Sequence, residues 1–212
     1  MTFERAFLIL TKPVVFILFL FLMVVCYCYF DKAIAYYFHQ TDVHALLSVF
    51  KVFAFVGESY VWVSLLFLLA LFYRFVYKNK KWEQRLWFLW SCVFIPNAIS
   101  AVLKISLGRA RPGLLFESQL FGFYGPHLKG VYWSFPSGHT TTIMGLMLGF
   151  SIIYPNHVVT WSLVGLLVAT MRIVLTEHYL SDVLTTAYLV FIEIGLLNYF
   201  FKRQRFFPLV YR

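Results

Sequence analysis

Charged residues are scarce in this chain of 212 residues and make up only 13% of it. A soluble domain has roughly 25% charged and about 45–50% apolar residues, whereas 61% of the residues here are hydrophobic. The shortage of charge excludes an ordinary soluble domain and predicts a membrane protein. Internal repeats, low-complexity tracts and interdomain linkers are absent too, so we expect a single integral membrane domain over residues 1–212.

Cysteine and acidic residues are also few. The three cysteines, Cys26, Cys28 and Cys92, all lie in apolar runs, and none has a metal-site spacing with a histidine nearby. We therefore expect buried apolar thiols. The nine acidic residues form no cluster in the loops, so we expect no bound metal.

Six apolar segments approach the length of about 20 residues that a membrane-spanning helix needs. They predict an all-α, polytopic bundle of six transmembrane helices, with spans at 13–30, 60–77, 86–107, 137–154, 158–175 and 183–201. Residues 43–57 are interpreted as a helix at the membrane interface. The first apolar run exceeds the roughly 7–15 residues of a signal-peptide core, so we favour an uncleaved anchor over a signal peptide.

The basic residues are distributed unevenly along the chain. Most of the 18 lie in the amino end, in the loop between the second and third spans, and in the tail. Loops rich in Lys and Arg stay in the cytoplasm. Both termini are therefore predicted to be cytoplasmic, with segments 104–138 and 176–182 facing outward. Topology and anionic lipid account for the net charge of +9, and we expect no nucleic-acid partner.

Polar residues collect at the outward ends of four spans, although charge at membrane depth is costly and usually functional. Taken singly, each has an ordinary explanation: a cation that snorkels to the headgroups, an interfacial histidine or a helix N-cap. Their convergence favours a site instead. The candidates are Lys104, Arg109, Arg111, Ser137, Gly138, His139, Arg172, His178 and Asp182.

The types and spacing of these residues suit phosphate chemistry. The stretch SFPSGHTTT, residues 134–142, predicts an exposed helix N-terminus, which attracts anions. His178 and Asp182 are four residues apart and are predicted to face each other across one helical turn. The carboxylate would then orient the imidazole as a nucleophile or base. Three cations, a serine hydroxyl and helix N–H groups would form a cage for a tetrahedral oxyanion.

Three motifs resemble those of the type-2 phosphatidic acid phosphatase family. They are KISLGRARP at 104–112, PSGH at 136–139 and MRIVLTEHYLSD at 171–182, and the resemblance spans roughly residues 100–190. Met171 departs from the pattern, because the family usually has a serine there that helps to hold the phosphate. Losing one hydroxyl removes a hydrogen bond worth about 0.5–1.5 kcal/mol, which affects affinity and specificity more than catalysis.

The resemblance implies a two-step transfer through a phosphohistidine. In this scheme His178 attacks phosphorus, Asp182 orients it, and His139 protonates the departing oxygen and then activates water. The resemblance assigns phosphate binding to Lys104, Arg111, Arg172, Ser137 and Gly138, and it implies no metal or other cofactor. For Arg109, contact with a second phosphate or headgroup and contact with lipid both stay open.

The resemblance also implies a membrane lipid phosphate as the substrate. Bacterial members of the family act on lipid A, undecaprenyl diphosphate or phosphatidylglycerol phosphate, and the compact six-span form predicts a bacterial inner membrane with the site facing the periplasm or exterior. Two alternatives remain: a lipid phosphotransferase using the same phosphohistidine, and a non-enzymatic lipid-phosphate binder or transporter. The sequence decides neither the oligomeric state nor whether residues 113–133 act as a lid.

Overall fold

A computed structural model describes residues 2–41, 57–208 and 210, and most of these residues are helical. Within these ranges the backbone forms no β-strand, only isolated bridges that join Arg109 to Phe123 and to Trp133. The interfacial helix predicted at 43–57 lies outside the described residues except for Gly57. The described part of the chain is therefore all-α, as the apolar segments predicted.

The helices follow one another through mostly short connections. Their bounds are Phe3–Leu10 (α1), Pro13–Val25 (α2), Asp31–Gln40 (α3), Ser59–Phe75 (α4), Lys80–Leu107 (α5), Pro112–Ser118 (α6), Gly138–Ile153 (α7), Val158–Val174 (α8) and Leu180–Gln204 (α9). A π-helical turn, Cys26–Phe30, makes α2 and α3 continuous. Short 3-10 turns occupy Gly130–Tyr132 and Pro155–His157.

Local sequence explains where the helices that carry the predicted site begin and end. At the start of α5, the side chain of Asn79 accepts hydrogen bonds from the N–H groups of Lys81 and Trp82. Gly108 ends that helix with a φ of 55°, a left-handed conformation that residues with a side chain rarely adopt. Ser137 caps α7, because a hydroxyl can accept from the unpaired N–H groups of a first turn.

Within the described residues, four helical segments are long and apolar enough to cross a membrane: Pro13–Gln40, Lys80–Leu107, Pro155–Val174 and Leu180–Gln204. The helices α4 and α7 are apolar as well but shorter, at 17 and 16 residues. These apolar helices support the assignment of the chain to a membrane. The six predicted crossings remain a prediction, since two of them rest on the short helices.

The three thiols differ in their surroundings. Cys26 and Cys92 are buried, whereas Cys28 is exposed. The expectation of three buried thiols is therefore wrong for Cys28, because alternate residues of the π-helical turn face in different directions and Cys28 points away from the bundle.

The helix α7 lies at the centre of the bundle. Almost all of its residues are buried, and it packs against α5, α8 and α9. A side chain at Gly145 would collide with the backbone carbonyl of Cys92, so glycine permits a close approach of α5 and α7, as small residues do in membrane helix pairs. This packing positions the first turn of α7 relative to the end of α5.

The first and last described helices meet at one end of the bundle. Glu4 of α1 forms an ion pair with Lys202 near the end of α9, and His178 immediately precedes the opposite end of that helix. A helix of 25 residues is roughly 37 Å long. The start of α1 and the end of α9 therefore lie at the opposite end of the molecule from the predicted site.

Candidate active site

A cavity of about 500 Å³ brings together most of the predicted site residues. The end of α5, the first turn of α7, the last turn of α8 and the connection into α9 all contribute to its wall. The predicted site residues that line it are Lys104, Arg111, Gly138, His139, Arg172 and His178. Three cations and two histidines from distant parts of the sequence thus share one space.

The first turn of α7 and Lys104 meet inside this cavity. A Cβ atom on Gly138 would lie 2.7 Å from Nζ of Lys104, so the absence of a side chain lets the ammonium group lie against the helix N-terminus. The N–H groups of a first turn carry partial positive charge and lack helical partners. Together with the lysine they form a site that favours an anion.

Two arginines of the cavity share one carboxylate. Nη1 of Arg111 lies 2.8 Å from Oε2 of Glu177, and Nη2 of Arg172 lies 3.4 Å from the same oxygen. The Glu177 side chain is 41% exposed. The cationic groups are therefore held in place by a carboxylate that solvent can reach.

His178 is buried, and its hydrogen bonding determines its tautomer. Nδ1 lies 2.6 Å from the backbone carbonyl oxygen of Ser134. Because a carbonyl oxygen can only accept, Nδ1 carries the proton and Nε2 keeps its lone pair. Burial first, and then the charges of Arg111, Arg172 and Lys104, lower the pKa of His178 well below its usual value, while the bond to Ser134 opposes this. The imidazole is therefore neutral near pH 7.

Asp182 does not make the hydrogen bond to His178 that the four-residue spacing predicted. Its Oδ2 lies 3.9 Å from Nδ1 of His178 and instead accepts from the hydroxyl of Ser134 at 2.6 Å and the N–H of Tyr179 at 2.9 Å. Oδ1 accepts from Arg109 at 2.5 Å. The carboxylate caps the first turn of α9, so Ser134 links it to the histidine indirectly.

Arg109 is buried and does not line the cavity, whereas the sequence had suggested contact with a headgroup or with lipid. Its side chain is only 3% exposed and pairs with Asp182 at 2.5 Å and with Asp31 at 2.7 Å. A buried guanidinium requires paired carboxylates. Arg109 therefore belongs to a network of buried ion pairs next to the cavity.

Ser137 also differs from its predicted role as a phosphate-binding residue. It is fully buried, and its hydroxyl oxygen accepts from the hydroxyl of Thr140 at 3.0 Å and from the Thr140 N–H at 3.5 Å. This serine caps α7 from inside the bundle, which leaves the cavity-lining position to Gly138.

His139 lies beside a second carboxylate of the cavity wall. Oε1 of Glu58, at the N-terminus of α4, is 3.3 Å from Nε2 of His139. Both side chains line the cavity, so the position of His139 suits a group that exchanges a proton with a bound substrate.

The sequence reasoning missed Asp31, Ser134 and Glu177. Asp31 had a usable signal, because it is an acidic residue at the end of a long apolar run. Ser134 and Glu177 had none, since each is a common loop residue whose role depends on contacts made in three dimensions. Among the residues that the structure describes, no three His, Cys, Asp or Glu side chains are grouped to hold a metal ion.

Comparison with known families identifies the group to which the chain belongs. The family model of the PAP2 superfamily matches residues 85–206. The chain belongs to the PAP2 superfamily. This confirms the resemblance inferred from the three motifs. The matched region runs from early in α5 to just beyond α9 and leaves α1–α4 outside it.

Two lipid A 1-phosphatases, from Rhizobium etli and Rhizobium johnstonii, are similar to this PAP2 protein. Each is 29% identical over 97 residues. The alignment covers 46% of this chain but only 42% and 40% of the two relatives, so the chain spans less than half of their length. No solved structure matches the chain significantly.

Proposed function

We propose that this PAP2 protein hydrolyses a phosphate from a membrane lipid. The observation that carries the proposal is the cavity in which three cations, two histidines and a helix N-terminus converge. Phosphoryl transfer depends mainly on positioning and on charge stabilisation, and these groups supply both. The two lipid A 1-phosphatases favour a phosphate of the lipid A class as substrate.

In the first step, Nε2 of His178 attacks phosphorus, and the bond between phosphorus and the lipid oxygen breaks. The hydrogen bond from Nδ1 to the carbonyl of Ser134 keeps the lone pair on Nε2, which is the atom that must form the N–P bond. His139 gives its proton to the departing lipid oxygen. The products of this step are the dephosphorylated lipid and a phosphohistidine.

The cations act on the phosphate oxygens throughout the reaction. Lys104, Arg111 and Arg172 neutralise the charge that spreads over the three equatorial oxygens, and the N–H of Gly138 adds a hydrogen bond. Fixed cations thereby take the part that a metal ion can play in phosphoryl transfer. The reaction is accordingly proposed to be independent of metal.

In the second step, water attacks the phosphohistidine. His139 accepts a proton from the water, the N–P bond breaks, and inorganic phosphate leaves while Nε2 of His178 recovers its lone pair. Asp182 contributes through Ser134 and the first turn of α9, since it holds the groups that orient the imidazole.

The same proposal places the protein in a bacterial inner membrane with six crossings. The ion pair between Glu4 and Lys202 supports an even number of crossings, because it joins the first and the last described helices. The basic loops and tail support a cytoplasmic position for that end. The cavity then faces the periplasm or exterior, where a lipid phosphate can reach it from the outer leaflet.

The test is phosphate release by purified protein in detergent with EDTA. The lipids are lipid A, undecaprenyl diphosphate, phosphatidylglycerol phosphate and phosphatidic acid. We expect release by the wild type, fastest with lipid A, and a loss of at least about 1,000-fold in His178→Ala, since the nucleophile is gone. His157→Ala is the matched control, because this exposed histidine lies at the opposite end of α7, and it should release phosphate at the wild-type rate.

Other outcomes distinguish the alternatives. Release that requires an added acceptor lipid would indicate a phosphotransferase. Lipid phosphate that binds without turnover would indicate a binding or transport protein. Undiminished release by His178→Ala would refute the histidine mechanism.

A further inference from the structure

Asp31 is a buried carboxylate that lies outside the region matched to the PAP2 superfamily. It is the first residue of α3, directly after the π-helical turn Cys26–Phe30, and it has no exposed surface. Burying a charge in an apolar helix is costly unless partners compensate it. The partners of Asp31 therefore indicate why this helix carries an acid.

Both oxygens of Asp31 are occupied by groups next to the catalytic elements. Oδ1 accepts from the N–H of Ser181 at 2.9 Å, and Oδ2 accepts from the Ser181 hydroxyl at 2.5 Å and from Nη2 of Arg109 at 2.7 Å. The N–H of Ser181 belongs to the first turn of α9, where no helical acceptor exists. Asp31 thus caps, from another helix, the turn that contains Asp182.

The contacts continue from Asp31 to the proposed nucleophile. Arg109 is shared between Asp31 and Asp182, and it also donates to the Ser181 hydroxyl at 2.9 Å. Asp182 accepts from the hydroxyl of Ser134, whose carbonyl accepts from His178. Each link is a buried hydrogen bond, and such networks rigidify the groups that they join.

Aromatic rings enclose the shared guanidinium. The centre of the Arg109 guanidinium lies 5.0 Å from the ring centroid of Tyr27, within the π-helical turn, and 4.9 Å from that of Tyr179. Cation–π contacts of this kind hold a guanidinium more firmly once water is excluded. The π-helical turn, a feature frequent at functional sites, therefore contributes both a ring and the following carboxylate to one network.

We propose that Asp31 is a positioning residue for phosphoryl transfer, acting through Arg109 and the first turn of α9 to hold Asp182 and His178 in their reactive arrangement. The inference rests on the proposed function. Asp31 does not line the cavity, so it contacts no substrate and should affect turnover without affecting substrate binding. The helix α2–α3 thereby completes a site whose motifs all lie in the matched region.

The test compares Asp31→Asn with the wild type in phosphate release from lipid A. The variant keeps the shape of the side chain but turns an amide towards Arg109, so Arg109 and Asp182 rearrange. We expect kcat to fall at least tenfold and KM to change less than twofold. Met23→Ala is the matched control, because Met23 is buried in the same continuous helix outside the network. It should lower the melting temperature and leave kcat per folded protein unchanged.

Two further variants keep the test decisive. Asp31→Glu retains the charge needed for folding but displaces the carboxylate by one methylene, so it should also lower kcat at constant KM. In a double-mutant cycle, Asp31→Asn should add little to the loss caused by Arg109→Gln, because groups that act as one unit are not additive.

The outcomes separate this inference from the proposed function. A wild-type protein without phosphate release would overturn both. If the wild type is active, three results would overturn the inference alone. The Asp31 variants could lose only thermal stability, as is expected of Met23→Ala, or they could raise KM at constant kcat. The third result is a double variant whose loss of kcat equals the product of the two single losses.

Discussion

At the scale of single residues, Glu177 stands out because it places a negative charge where a phosphate is proposed to bind. Its Oε2 is shared by Arg111 and Arg172, the groups assigned to the phosphate oxygens. An arriving phosphate must compete with this carboxylate for the same donors. We therefore expect Glu177 to keep the arginines in position between turnovers and to weaken anion binding.

Replacing Glu177 by Gln should strengthen the binding of phosphate. The ion pairs between this exposed carboxylate and the arginines contribute no more than about 1 kcal/mol of free energy. We therefore expect the inhibition constant of inorganic phosphate to fall about two- to fivefold. Glu117→Gln is the control, because it removes the same charge from an exposed position in α6. An unchanged or increased inhibition constant in Glu177→Gln would contradict the competition.

The buried neutral His178 should make stability depend on pH in a defined direction. Its folded pKa lies below the ordinary value of 6.5, so below pH 6.5 the unfolded chain binds a proton that the folded chain does not. The free energy of unfolding should therefore fall as the pH drops from 6.5 towards the folded pKa, by up to about 1.4 kcal/mol per pH unit.

Chemical denaturation in detergent at pH 7.5 and pH 5.5 measures this effect. His178→Asn serves as the reference, because it retains the carboxylates that also titrate on acidification. The wild type should lose more stability than the variant between the two pH values. Equal losses would mean that His178 is not held neutral in the folded protein.

At the scale of helices, the contact between α5 and α7 sets the geometry of the cavity. Lys104 lies on one of these helices and His139 on the other, and the helices approach closely where Gly145 faces Cys92. A change in their separation at this point should be transmitted to the phosphate site. The packing of two apolar helices therefore contributes to the position of the residues that line the cavity.

Gly145→Ala should separate α5 from α7. The added methyl group would meet the backbone carbonyl of Cys92, which cannot move aside as a side-chain tip can, so we expect a loss of about 1–3 kcal/mol in stability together with reduced phosphate release. Gly113→Ala is the control, since a Cβ at Gly113 has no neighbour within 4 Å. Thermal unfolding and activity in detergent check both variants, and a wild-type melting temperature for Gly145→Ala would contradict this account.

At the scale of the whole molecule, the cavity lies at one end of the bundle, and the start of α1 and the end of α9 lie at the other. The ion pair between Glu4 and Lys202 marks one end, and the motifs before α7 and α9 mark the other. In the proposed orientation, the bilayer separates these two ends. The proposed orientation is therefore open to a labelling experiment.

Labelling of single cysteines tests the orientation. In a chain whose three natural cysteines are replaced by serine, we expect Lys129→Cys to react with a membrane-impermeant maleimide in intact spheroplasts, and Arg203→Cys to react only after permeabilisation. Both positions are exposed, so access to solvent does not bias the comparison. The reverse pattern would contradict the proposed orientation.

Much of the fold was predictable from the sequence because its signals are local. Apolar runs marked the positions of the helices, and polar caps such as Asn79 and Ser137 explain where α5 and α7 begin. The three motifs were sufficient to identify the PAP2 superfamily, which the family match confirms. Some helices extend beyond the predicted membrane spans: α5 begins at Lys80, whereas the predicted span begins at residue 86.

The sequence by itself determined which residue types are available to the site, and only the tertiary structure decided how they are paired. The four-residue spacing predicted that Asp182 would bind His178. In the structure, the Asp182 carboxylate instead accepts hydrogen bonds from the buried Arg109 and from the N–H of Tyr179 at the start of α9. The partner of Ser181 lies 150 positions away, at Asp31. Hydrogen-bond partners of buried charges depend on which segments pack together, and that information is not contained in any local stretch of the chain.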